Sequence, residues 1–187
     1  MEIIEFLTGQ REEYLKGFKT LFERLESAGQ RAFVEAIELR EGERENDNML
    51  FDFFRYDILV KSDHDDYFEM KVNVNPSIYE IPIEFNEGPL EILLDSFVWN
   101  ACSINFSILV LDMKPIRAWY LKWIQPDKSN FEVKTIGAIH SVTMRSDKIE
   151  KEISVDFGSA PVGAAVELFS ILANANIESV FIRSGYI

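Results

Sequence analysis

Near residue 30 the hydrophobic period of this chain changes from helical to alternating, and that change limits what it can fold into. Over residues 10–27, Tyr14, Phe18, Leu21, Phe22 and Leu25 recur at helical spacing, while Glu12, Glu13, Lys16, Lys19, Glu23 and Arg24 take the other side. The stripe predicts an amphipathic helix from about Gln10 to Ser27. Thr8 stands where an N-cap would, and Gly29 lies just past the end. After that the period is two. Residues 31–40 predict a strand with imperfect alternation. In 50–60, Leu50, Phe54, Tyr56, Ile58 and Val60 share one face. In 68–74, Phe68, Met70, Val72 and Val74 alternate with Glu69, Lys71 and Asn73; in 79–85, Tyr79, Ile81, Ile83 and Phe85 alternate with Glu80, Pro82 and Glu84. This is the pattern of antiparallel strands with one face on a core and the other in water. Pro82 cannot donate to a ladder, which predicts an edge strand there.

The second half continues in the same manner. Asn86-Glu87-Gly88-Pro89 predicts a turn into a short helix at 89–95, and further strands are expected at 98–111, 116–124 and 131–144. Ile153, Val155 and Phe157 then mark a strand. A helix begins at Ser159 or Ala160 with Pro161 in its first turn, where a missing N–H costs nothing. Its apolar stripe is Val162, Ala165, Val166, Phe169, Leu172 and Ala173, and Ile177–Ile182 predicts a last strand. A connection this short through one helix suits a parallel pair. The expected fold class is α+β: a large, mostly antiparallel β-sheet with an N-terminal helix and a C-terminal β-α-β unit. The chain shows no internal repeat and no linker, and its 187 residues predict a single domain, 1–187.

Hydrophobic residues make up 47% of the chain, enough for a full core. One cysteine, Cys102, rules out an internal disulfide, and its apolar surroundings mark it as a small buried hydrophobe. Met1-Glu2-Ile3-Ile4-Glu5 has no basic n-region, and no apolar run approaches the ~20 residues of a membrane span, so a cytoplasmic location is expected. The net charge of −13 argues against partners such as nucleic acid or anionic membrane, which select clustered Lys and Arg. It favours a basic partner. Residues 38–95 hold 16 acids and 5 bases, whereas 96–187 hold 9 of each, so the excess is localised. Uniform tuning for solubility does not predict such segregation.

The motifs that could carry chemistry are sparse. Asp63-His64-Asp65-Asp66 offers metal-ligand types, but without the spacing or the glycine of a calcium loop it reads as a solvated turn. His140, in Ile139-His140-Ser141, reads as structural, with no adjacent nucleophile or orienting acid. Asp156-Phe157-Gly158-Ser159-Ala160-Pro161 places small residues and a hydroxyl before a helix, where an anion can bind. The simpler account is that Ser159 caps the helix and Gly158 permits the turn. Trp119, Leu121 and Trp123 share a face of the 116–124 strand and suit core packing or a protein contact. No catalytic residue, cofactor or metal site is predicted, and an enzyme is not expected.

In size, acidity and mixed α/β build, the chain resembles, at class level, bacterial immunity proteins of contact-dependent or polymorphic toxin systems. The resemblance implies a protein that binds and neutralises a cognate, basic toxin domain through an acidic surface. The residues expected to carry that contact, because they lie in polar connections, are Glu41, Glu43, Glu45, Asp47, Asp63, Asp65 and Asp66. Two other classes stay open. A secretion chaperone would be a dimer with exposed apolar grooves. A small-molecule-binding protein or enzyme would hold His140 or His64 beside a carboxylate in an aromatic-lined pocket.

Overall fold

A computed structural model of the chain describes residues 2–39, 53–62, 64, 66–124 and 137–184. Helix α1 spans Ile3–Ser27. It begins earlier than expected because Ile3, Phe6 and Leu7 extend the apolar stripe backward by more than a turn, and all three are buried. Thr8 is therefore inside the helix, its hydroxyl donating to the Ile4 carbonyl at 2.7 Å. Gly29 ends the helix in the left-handed region, at φ 69°, as anticipated.

Short strands follow: β1 (Ala32–Val34), β2 (Ile37–Leu39), β3 (Phe53–Arg55), β4 (Ile58–Lys61) and β5 (Tyr67–Met70). The strand expected over 31–40 is broken at Glu35, and the one over 50–60 at Asp57; residues 50–52 lie outside the described chain. These pieces form a three-stranded sheet, β1-β4-β5, and a two-stranded one, β2-β3.

The principal sheet has six strands: β6 (Ser77–Glu87), β7 (Leu90–Phe97), β8 (Cys102–Ser107), β9 (Ser141–Ser146), β10 (Glu150–Asp156) and β11 (Ser179–Ser184). Their order is β6-β7-β11-β8-β10-β9, and every pairing is antiparallel except β7 with β11. The fold is α+β. β6 is an edge strand, and Pro82 lies where its register against β7 shifts, between Ile78 and Ile83.

Three expectations need correction. The segment 89–95 is strand β7, because Leu90, Ile92 and Leu94 alternate into the core with Glu91, Leu93 and Asp95 outward. The segment 116–124 belongs to helix α2 (Lys114–Ile124), where Ile116, Trp119, Tyr120 and Ile124 are buried at helical spacing. Trp119 and Trp123 also fit a period of two, and that coincidence misled the strand reading. β10 and β11 run parallel across helix α3 (Val162–Asn174) but are not neighbours, since β8 lies between them and is antiparallel to both.

Helices α1 and α3 pack on one face of the large sheet. Phe6 meets Phe85 and Phe97 at ring separations of 5.5 and 5.4 Å, tilted and edge-on. α2 packs on α3, where Trp119 Nε1 donates to the Ala164 carbonyl at 2.8 Å. Cys102 is buried, and burial pushes its thiol up to about 12, as befits an inert core residue.

Candidate functional site

The two breaks in the small strands and the start of β9 converge on one buried cluster. Glu35 follows β1 and takes φ 48°, a left-handed conformation that costs a side-chain-bearing residue about 1–3 kcal/mol. Its side chain is sealed from solvent and reaches His140, Oε1 to Nε2 at 2.8 Å. The Ser159 hydroxyl donates to the same oxygen. Arg55 Nη1 donates to the Glu35 carbonyl at 2.6 Å, holding the turn from outside.

Asp57 joins β3 to β4. Its Oδ1 accepts the Tyr14 hydroxyl of α1 at 2.6 Å, and its Oδ2 accepts the Val72 N–H at 2.6 Å. The same Oδ1 lies 2.9 Å from His140 Nδ1. Burial pushes the Asp57 carboxyl up, but His140, Tyr14 and Val72 together outweigh it and hold the group below its ordinary range. Tyr14, buried and facing this carboxylate, is pushed well above its ordinary range.

Asp156 closes the cluster from the end of β10. Its Oδ1 accepts the Gly158 N–H at 2.9 Å and lies 3.8 Å from His140 Nδ1. Unlike the others it is in part accessible, with 27% of its side chain exposed. Burial pushes its carboxyl up to about 7, with Asp57 adding to the effect and His140 opposing it. Burial alone would lower the His140 pKa; the negative groups around it, Asp156 first, raise it to about 10.

Gly158 fits this site as no other residue would. It has φ 49°, and a Cβ there would lie 2.2 Å from His140 Cδ2 and 2.7 Å from the Ala138 carbonyl oxygen. The imidazole edge occupies the space a side chain would need. Ser159 does not cap α3, correcting that expectation. Its hydroxyl accepts the Gly137 and Ala138 N–H groups, at 2.9 and 3.2 Å, while donating to Glu35. The segment 156–161 thus serves the histidine. The Arg11 guanidinium takes the carbonyls of Ser159 and Ala160, and Trp99 Nε1 donates to that of Gly158.

His140 is 1% exposed, so the imidazole is shielded from solvent. What the cluster can do is hold a proton or a small cation among Glu35, Asp57 and Asp156. None of these acids was singled out for chemistry as one group, because they are 22 to 121 residues apart in sequence. The available signal was a lone charged residue inside an apolar run, as in Phe33-Val34-Glu35-Ala36-Ile37.

Of the acids expected to meet a partner, Glu41, Glu43, Glu45, Asp47, Asp63 and Asp65 lie outside the described residues. Asp66 is exposed, in a turn where its N–H and that of exposed His64 both donate to the Ser62 hydroxyl. The described structure shows a second acidic surface, on the outward face of the large sheet. Leu93, Phe181, Asn105, Glu152 and Arg145 line up across β7, β11, β8, β10 and β9. Below them lies an open groove of about 990 Å³. Glu84 of β6, Glu91 and Asp95 of β7, and Glu150 and Glu152 of β10 alternate outward against Arg145 and Arg183, and Arg183 is paired with Asp95 at 3.2 Å. Glu84 crowds Glu91 and raises its pKa.

Among the described residues no helix is long and apolar enough to cross a membrane. Compared with known proteins, the chain matches no family model, no curated protein and no solved structure.

Proposed function

We propose that this chain is an immunity-type inhibitor, a non-catalytic cytoplasmic protein that covers the active surface of a cognate, basic toxin domain. The observation that carries the reading is the outward face of the six-stranded sheet, where Glu84, Glu91, Asp95, Glu150 and Glu152 outnumber Arg145 and Arg183. A rigid, polar face with excess negative charge steers a cationic partner and can match it by shape. The acids of 41–66 extend the same chemistry in sequence. The sealed imidazole favours binding over catalysis, since a general acid or base must reach the reacting group.

The test is capture with the tagged full-length chain at low and moderate salt, followed by an activity assay of whatever is retained. One stoichiometric basic protein is expected, held less well as salt rises, and its toxic activity should vanish at a 1:1 ratio. No basic partner at either salt, or a partner whose activity is unaffected, overturns the proposal. Glu91→Lys with Glu152→Lys should slow association about tenfold at low salt and less at high salt. An unchanged rate removes the sheet face from the contact.

A further inference from the structure

We propose that Asp57, His140 and Asp156 form a binding site for one divalent transition-metal cation of the Zn²⁺ or Mn²⁺ type. One ligand atom from each lies within 4.8 Å of the others. The set, one imidazole nitrogen and two carboxylate oxygens, suits a borderline cation better than Ca²⁺ or Mg²⁺.

Crowded acids alone would not make a site. The second observation is His140 Nδ1, a buried nitrogen with no aligned hydrogen-bond partner although Asp57 Oδ1 is only 2.9 Å away. Glu35 accepts from Nε2, so on the neutral ring the Nδ1 lone pair faces two carboxylates. A positive occupant relieves that arrangement, either a proton on Nδ1 or a metal ion that takes the proton's place. With the ion it is the carboxylate–histidine–metal arrangement, in which an outer carboxylate fixes the tautomer and raises the basicity of the ligand nitrogen. The Nδ1 separations from Asp57 and Asp156, 2.9 and 3.8 Å, both fit atoms on a sphere of about 2.1 Å radius around one ion.

Charge points the same way. Arg55 lies close to Glu35 and offsets it. Among the described residues no lysine or arginine forms an ion pair with Asp57 or Asp156, and Lys71, whose charge acts on Asp156, is tied to Glu69 at 3.7 Å. The partly exposed Asp156 supplies the route in. A bound ion would join the β3–β4 joint, the start of β9 and the end of β10, fastening the small sheets to the large one.

The experiment strips the full-length chain with EDTA, removes the chelator, and titrates Zn²⁺ or Mn²⁺ at pH 8. Expected are one ion per chain and a Tm rise of about 5–10 °C at a hundredfold excess over Kd. Asp156→Asn, nearly isosteric and at the accessible end, should weaken binding at least about tenfold, whereas Glu152→Gln on the sheet face should leave it unchanged. The chain has only two histidines, so imidazole ¹⁵N spectra give a readout independent of any variant. Zn²⁺ should shift the His140 nitrogens and spare His64. No ion retained, equal loss in Glu152→Gln and Asp156→Asn, or a shift at His64 alone would each overturn the site.

Discussion

Replacing Gly158 with alanine tests whether the histidine cluster is a rigid unit. The new Cβ would lie 2.2 Å from His140 Cδ2, 2.4 Å from Nε2 and 2.7 Å from the Ala138 carbonyl oxygen. Two of those atoms belong to a buried ring tied to Glu35 through Nε2, and the third is backbone, so nothing can yield cheaply. The left-handed φ of 49° adds about 1 kcal/mol for a residue with a side chain. Overpacking in a close-packed site costs about 1–3 kcal/mol. If the ring swings away, the charged hydrogen bond to Glu35 is lost, at about 1.5–3 kcal/mol. These alternatives overlap, so the expected destabilisation is about 3–5 kcal/mol. In a chain of this length that lowers Tm by roughly 6–20 °C. Urea unfolding followed by tryptophan fluorescence is a direct assay, because Trp99 is buried and donates to the Gly158 carbonyl at 2.8 Å. The midpoint should fall with the slope unchanged. A loss under about 1 kcal/mol would mean that His140 has room to move, and the reasoning that ties Gly158 to the cluster would be wrong.

Two further predictions concern the same cluster. In EDTA, stability should be greatest near pH 4 and decline toward alkaline pH. Asp156, raised from 3.8 to about 7, keeps its proton in the folded chain, so its contribution is lost between about pH 4 and 7; His140, raised from 6.5 to about 10, contributes fully below 6.5 and nothing above 10. Asp57, shifted down, withdraws its contribution only in acid, below its ordinary range. The groups facing this titration are Tyr14, Glu35, Asp57, Glu69 and Lys71, and a urea midpoint flat from pH 5 to 9 would refute it. Ser159→Ala removes the hydroxyl between the Glu35 carboxylate and the Ala138 N–H; chemical denaturation should show a loss of about 1–3 kcal/mol, the cost of stranding buried polar groups.

The α+β class was legible because long stretches obey one period at a time. α1, β7 and α3 each bury residues at the spacing of their own element, though β7 was short enough to be read as a helix. The failures have physical causes. At 116–124 alternate aromatics satisfied both periods, and only the i, i+3, i+4 burial of Ile116, Trp119 and Tyr120 separates them. The order of β10, β8 and β11 is set by tertiary packing, which local pattern does not encode. The cluster was illegible as a site because its members come from four separate segments, and each looks alone like an ordinary turn or strand residue. Yet the segment 156–161 did stand out in the sequence. Its small residues leave room for the His140 ring rather than for an anion at the helix N-terminus.

The two acidic features of this chain answer to different physics. On the sheet face, Glu91 and Glu152 are half-exposed, Glu152 accepting from Ser103 and Ser154, and water reaches them, so each charge is screened within a Debye length of ~8 Å and costs the fold little. Their value is collective, as a field that a basic partner can sense. In the cluster, Glu35, Asp57 and Asp156 lie where screening fails, and each carboxylate must be met by a donor or a cation. Tyr14, Val72, Ser159, Gly158 and His140 supply donors from α1, the segment after β5, the turn before α3 and the start of β9. A shift of any one of these segments leaves a buried charge unmatched. The cluster therefore penalises every arrangement of the sheets but one, and the face outside it is presented to a partner in a single geometry.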